Sequence, residues 1–326
     1  MHKRSRASPA PTRDGRLATV RPGAPAIVLC ALALGCAPRG GGAAGSAEPL
    51  ERPKGPVGLE EARRYVLGLV NRDRAEAGLP AVERDETAER AGQRHVEDMV
   101  KHGFTAHWGT DGSVPEQRYT EAGGVHFAQE NAACFFDGTA RELDPSPVFS
   151  AEQLEQIESA FIHETPPNDG HRRNILKKWH NKLGVGLAKP VGVEQPCMAQ
   201  EFVDAYGEYD GLPQQAKLGQ KITVAGEVEA PAEFGGVGLV RIEPAKKLSP
   251  AHLNSTSSYP VPNPTDLYFP AGFKTPKPVK LDGKRFSIDL DLKQPGGPGR
   301  YQVSVWGRYP GDKAFVMVSL RTLEVR

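Results

Sequence analysis

Two histidines and two glutamates, His107, Glu130, Glu164 and His171, lie in three separate segments: AHWGTDGSVPEQR, AQENAACFF and FIHETPPNDGHRRNIL. Imidazole nitrogens and carboxylate oxygens are the side-chain groups that bind divalent cations or move protons near neutral pH. Local structure alone does not need that spread, so we read the fold as bringing the four together in one cleft.

The chemistry of that set suits a weak metal site. Two neutral imidazoles give zinc two protein ligands, whereas structural zinc takes four and hydrolytic zinc three plus water. One glutamate would join the shell or hold its waters while the other orients a histidine. The competing reading is a structural His/Glu hydrogen-bond network with no ion. His163-Glu164 followed by His171 is not the H-E-x-x-H of zinc proteases, because the second histidine is too distant and Pro166-Pro167 break the helix. No G-x-S-x-G elbow is present, which leaves nucleophilic catalysis without support. His95 falls on an apolar helix stripe and reads as a core histidine. His126, four residues before Glu130, reads as an exposed side chain near the rim.

Several elements must position these groups. LEEARRYVLGLVNRDRAEAG, from Leu59, carries apolar residues at helical spacing up to Gly78 and Pro80. A second helix is expected from the N-cap Asp85 to about His102. The glycines and proline after Gly103 mark a loop holding His107, and Arg118 either pairs with a carboxylate there or is solvated. Ser150 opens a third helix, with Gln153 as a capping-box partner. On that helix Glu164 follows Phe161 by three positions and should point inward. HRRNILKKW reads as a short helix, and LGVGLA and MAQEFVDAY read as an antiparallel pair of strands. From about Gln215 short alternating segments parted by Gly- and Pro-rich turns predict a small all-β sandwich of immunoglobulin-like architecture. The stretch from Ser249 to Pro278 is either one long loop or holds a further weak strand.

The chain has 326 residues, with 41 lysines and arginines against 40 aspartates and glutamates, a net charge of +1. That balance gives no electrostatic case for a nucleic-acid partner. Near the N-terminus a basic, proline-containing segment precedes AIVLCALALGC, too short to cross a bilayer but suited to an export signal over 1–36. Its end resembles a bacterial lipobox, which would make Cys36 a lipidation site and 37–57 a flexible tether; the alternative is an ordinary cleaved signal. Of the four cysteines, Cys134 and Cys197 remain outside the signal. In an exported protein an even pair is expected to form a disulfide.

Six pieces in order resemble the CAP superfamily of cysteine-rich secretory, antigen 5 and pathogenesis-related proteins. They are NRDRAEAGLPAV, AERAGQRHVEDM, His107 ahead of DGSVPEQR, Gln129-Glu130-Asn131, Phe161-Ile162-His163-Glu164 and Gly170-His171-Arg172-Arg173-Asn174-Ile175-Leu176, followed by GVG and QEFV. The resemblance implies an α-β-α sandwich, α+β in class, whose cleft is formed by His107, Glu130, Glu164 and His171 and can hold a divalent cation, often zinc, mainly through the histidines. Phe161 stands where the family has tryptophan and Gln129 where it has glycine. The cysteine-rich portion of the animal members is missing.

The expected organisation is a signal over 1–36, a linker over 37–57, the CAP-like domain over 58–210 and the β-sandwich over 215–326. The expected role is extracytoplasmic: a protein tethered to a membrane surface through lipid on Cys36, or else secreted. Its cleft would bind a divalent metal and a lipid, glycan or peptide-like ligand. The rival is a metal-dependent hydrolase of peptide or cell-envelope material with Glu130 or Glu164 as catalytic base.

Overall fold

The computed structural model describes residues 50–256 and 258–326. The export signal, Cys36 and the linker up to residue 49 lie outside the described residues. The first half mixes helices and strands: α1 (Leu59–Glu76), β1 (Glu83–Arg84), α2 (Glu86–His102), α3 (Pro115–Glu121), β2 (Phe127–Ala133), α4 (Ala151–Ile162), α5 (Gly170–Ile175), β3 (Lys182–Ala188) and β4 (Cys197–Asp204). The rest is nearly all strand: β5 (Gly207–Tyr209), β6 (Gln215–Ala216), β7 (Lys221–Val228), β8 (Glu233–Ile242), the short helix α6 (Pro250–Leu253), β9 (Asp266–Tyr268), β10 (Lys280–Asp282), β11 (Arg285–Asp291), β12 (Gly299–Arg308) and β13 (Val316–Val325).

Helix starts follow local chemistry. The Asp85 carboxylate accepts from the amides of Thr87 and Ala88 at 2.8 and 3.0 Å, satisfying two otherwise unpaired donors. Ser150 accepts from the Gln153 amide at 3.3 Å. The return half of that capping box does not form, since Gln153 Oε1 is buried without a partner. The segment expected to be loop through Arg118 becomes helical at Pro115. Proline is tolerated in the first turn because the missing N–H would have no partner there.

The first sheet has the order β1-β3-β4-β2, with β1 parallel to β3 and the other pairs antiparallel. The β3–β4 pairing expected from sequence is present. On one face α1 and α4 pack Val66, Leu69, Leu154 and Phe161 against Val185 and Phe202. On the other, α2 sets Val96 and Met99 against Ala199, and Ala88 and Ala91 against Val203. A Cβ on Gly184 would lie 2.2 Å from the Glu89 nitrogen, and one on Gly186 2.3 Å from the Gly92 carbonyl carbon. The Gly-Val-Gly run is therefore the surface on which α2 rests, and the result is an α-β-α sandwich.

Two further sheets, β10-β11-β7-β5 and β6-β13-β12-β8-β9, enclose a second core in which Val224, Phe286 and Ile288 meet Val237, Tyr301, Val303 and Val318. All their pairings are antiparallel except β6 with β13. The stretch 249–278 holds both α6 and the strand β9. The strand β5 already pairs with β7, so the all-β region begins near residue 207, ahead of the expected 215.

The two regions meet along a seam. The Leu320 amide donates to the His126 carbonyl at 3.4 Å, Thr322 N to Thr120 Oγ1 at 3.2 Å and Arg300 Nη2 to the Gly112 carbonyl at 3.1 Å. Phe127, Met317 and Leu320 pack together there. Cys134 and Cys197 form the expected disulfide, joining the residue after β2 to the first residue of β4.

Candidate metal and ligand cleft

Glu130 sits on β2, an edge strand, opposite Glu201 of β4. Its side chain is fully buried, so an ionised carboxylate there requires strong partners. Arg118 from α3 supplies one, donating Nη2 to Glu130 Oε2 at 2.7 Å. His107 supplies another, with Nδ1 2.9 Å from Oε1. Burial alone would raise the Glu130 pKa, but the charge of Arg118, with the His107 hydrogen bond, outweighs it and holds the carboxyl well below its ordinary range. Arg118 Nη1 also donates to the His107 carbonyl at 3.1 Å. Of the two readings open for Arg118, pairing with a carboxylate is the one found.

The second pair is Glu164 with His171. Glu164 Oε1 lies 2.6 Å from His171 Nδ1, and Oε2 accepts from the His171 amide at 2.9 Å. The expectation that Glu164 points inward along the helix needs correction. The helix α4 stops at Ile162, so the helical phase set by Phe161 does not extend to residue 164, and the carboxylate is partly exposed. The His171 ring packs against Phe161 with centroids 4.4 Å apart. Burial lowers the His171 pKa; Glu164 opposes that and the nearby His107 charge adds to it.

All four predicted residues line one cleft of about 880 Å³, together with Gln129, Asn168, Arg173, Asn174 and Lys177. They stand as two His–Glu pairs. A network behind the cleft fixes the backbone that carries them. Asn131 Nδ2 donates to the His171 carbonyl at 3.2 Å and to Gln200 Oε1 at 3.0 Å, and Asn174 Nδ2 donates to Asn131 Oδ1 at 2.9 Å. Lys177 bridges Gln129 Oε1 and Asp204 Oδ2 at 2.6 and 2.8 Å.

Sequence reasoning missed Glu201, whose QEFV segment carries no chemical signature beyond a strand pattern. Both its oxygens are buried without a donor. Burial, and then the charge of Glu130, raise its pKa well above the ordinary range, so it holds its proton beside Glu130. Tyr259, at the cleft wall, was equally invisible in the sequence. His95 is the core histidine expected: its Nε2 meets the Ala106 carbonyl at 2.7 Å, and burial pushes its pKa down to about 4. His163 is exposed and bonded within its own helix. His126 differs from expectation. Its ring packs edge-on against Tyr209 at 5.6 Å in the seam, and burial lowers its pKa to about 4.

The donor set sets limits on a metal. Among the described residues no three His, Cys, Asp or Glu side chains are grouped so as to hold an ion. Each imidazole uses Nδ1 on a carboxylate, which in the neutral tautomer leaves Nε2 as a lone-pair donor, the arrangement typical of metal-binding histidines whose other nitrogen is held by an acid. The residues thus offer a cation at most two imidazole nitrogens, with both glutamates already engaged by the rings. They do not fit a closed four-ligand structural site.

Residues 67–190 match the family model of the cysteine-rich secretory protein family, CAP. They form a CAP domain. The chain matches no curated protein. Among solved structures it is similar to an extracellular SCP-domain protein of Bacillus anthracis str. Ames, with 19% identity over 44% of this chain and 40% of that one, at a TM-score of 0.33. It is also similar to an outer surface protein of Borrelia burgdorferi, with 14% identity over 45% of this chain and 95% of that one, at a TM-score of 0.32. The chain thus spans less than half the length of the Bacillus protein. Phe161, which the resemblance sets where the family has tryptophan, places its aromatic ring beside His171.

Proposed function

We propose that this is an extracytoplasmic binding protein. Its CAP cleft takes a divalent cation, zinc first, between His107 and His171, and beside it a lipid, glycan or peptide-like ligand. The observation that carries the reading is that both imidazoles line the cleft with Nδ1 already engaged by a carboxylate. Lipid on Cys36 would hold the protein on a membrane surface; among the described residues no helix is long and apolar enough to cross one. The disulfide supports an oxidising compartment.

The hydrolase alternative has less support. A general base needs a pKa near working pH and a free oxygen. Glu130 is held strongly ionised by Arg118 and His107, and both Glu164 oxygens are engaged by His171. Calorimetric zinc titration of the chain, beside a His107→Ala/His171→Ala variant, tests the reading. Uptake by the native protein, lost in the double variant and unaccompanied by turnover of peptides or envelope fragments, is expected. Equal uptake by both proteins removes the metal site. Mass spectrometry showing an unmodified mature N-terminus removes the lipid anchor.

A further inference from the structure

The wall of the CAP cleft is not built by the CAP domain alone. Ser258, Tyr259 and Val261, which follow α6 in the C-terminal region, line the same cleft as His107, Glu164 and His171. Tyr259 is held there from two sides. Its hydroxyl donates to Glu116 Oε1, the same oxygen that accepts from Gln302 Nε2, and its ring meets Trp108 edge-on with centroids 5.0 Å apart at 82°. Glu116 is itself buried, and burial raises its pKa.

We propose that Tyr259 is the specificity-determining residue of the cleft, a fixed aromatic wall against which the flat face of a sugar ring packs, and that the ligand is an oligosaccharide. Stripping a carboxylate of water costs several kcal/mol unless hydrogen bonds replace it, and here those bonds come from the residues that set the angle of the phenol. A ring fixed through its hydroxyl and packed against Trp108 loses little freedom on binding, which is how rigid aromatic side chains give contact area at low entropic cost. The polar side chains of Asn168 and Arg173 line the same cleft. An aromatic ring and hydrogen-bonding side chains in one cleft match a sugar ring with C–H groups on its face and hydroxyls at its rim. A lipid tail would find too many polar groups, and an extended peptide has no use for a single clamped aromatic.

This inference rests on the cleft being a ligand site, as proposed above. The test is calorimetry and saturation-transfer NMR on the native chain with chitotetraose, cellotetraose, tetra-alanine and phosphatidylglycerol vesicles, and zinc titration of the same samples. Binding of one tetrasaccharide is expected, with aromatic protons of the protein transferring saturation to it. Tyr259→Phe should keep affinity within about threefold. Tyr259→Leu, which keeps bulk in the wall but removes the ring, should weaken it at least tenfold and leave zinc uptake unchanged. No sugar binding by the native protein, or equal affinity in the leucine variant, overturns the proposal. Zinc uptake with no sugar binding sinks only this inference; loss of both sinks the underlying reading.

Discussion

The buried carboxylates have surroundings that differ sharply. Glu130 is ionised because a guanidinium lies 2.7 Å away. Glu158 is buried beside Asp73, with Glu158 Oε1 and Asp73 Oδ2 both lacking donors, and burial pushes its pKa up to about 8. In the unfolded chain such a glutamic acid titrates near 4.5. The folded state therefore binds the proton more tightly, and the stability this confers is complete below the unfolded value and lost as pH rises through about 8. Glu158→Gln should flatten the decline, making the variant more stable than the native protein at about pH 9 by on the order of a few kcal/mol in urea unfolding. An unchanged pH profile would show the pair is not proton-linked. Residue types and spacing were enough to select His107, Glu130, Glu164 and His171. They could not reveal that the four pair off, because the partners of a carboxylate depend on distant neighbours such as Arg118 and Glu201.

Elements were legible where local chemistry sets them. Asp85 and Ser150 announced helix starts, and β3 and β4 showed as adjoining apolar runs. The strand β2 did not, since FAQENAA is buried on both sides and lacks alternation. The short helix α3 was hidden because a leading proline reads as a breaker. Gly-Val-Gly in β3 was visible as a motif, but its reason lies in a contact between elements far apart in sequence. A methyl at Gly186 would push into the α2 backbone at Gly92. Gly186→Ala is therefore expected to cost about 1–3 kcal/mol or more, read from the urea midpoint. A loss below about 0.5 kcal/mol would mean that α2 can back away from the sheet at little cost.

Across the whole molecule, the seam joins what the sequence presents as two domains. The composition change near residue 215 is real, yet nothing in it tells that β13 lies against β2 or that residues after α6 return to the cleft. Alternating strand residues look the same whether they face solvent or another sheet. Leu320, buried against Phe127 and Met317, should be costly to truncate. Leu320→Ala is expected to lower stability by about 2–4 kcal/mol, and scanning calorimetry should show one transition moving as a whole. Two separated transitions, with only one displaced, would show that the regions unfold independently.

The Cys134–Cys197 bond fastens the end of the edge strand that bears Glu130 to the neighbouring strand. Until that bond is made, the strand is held by its hydrogen-bond ladder, by the side-chain bonds of Glu130 and Asn131 and by the packing of Phe127. Oxidation therefore adds a covalent tie at one end of the strand that carries Glu130, so reducing the bond would loosen that end of the cleft's supporting sheet first.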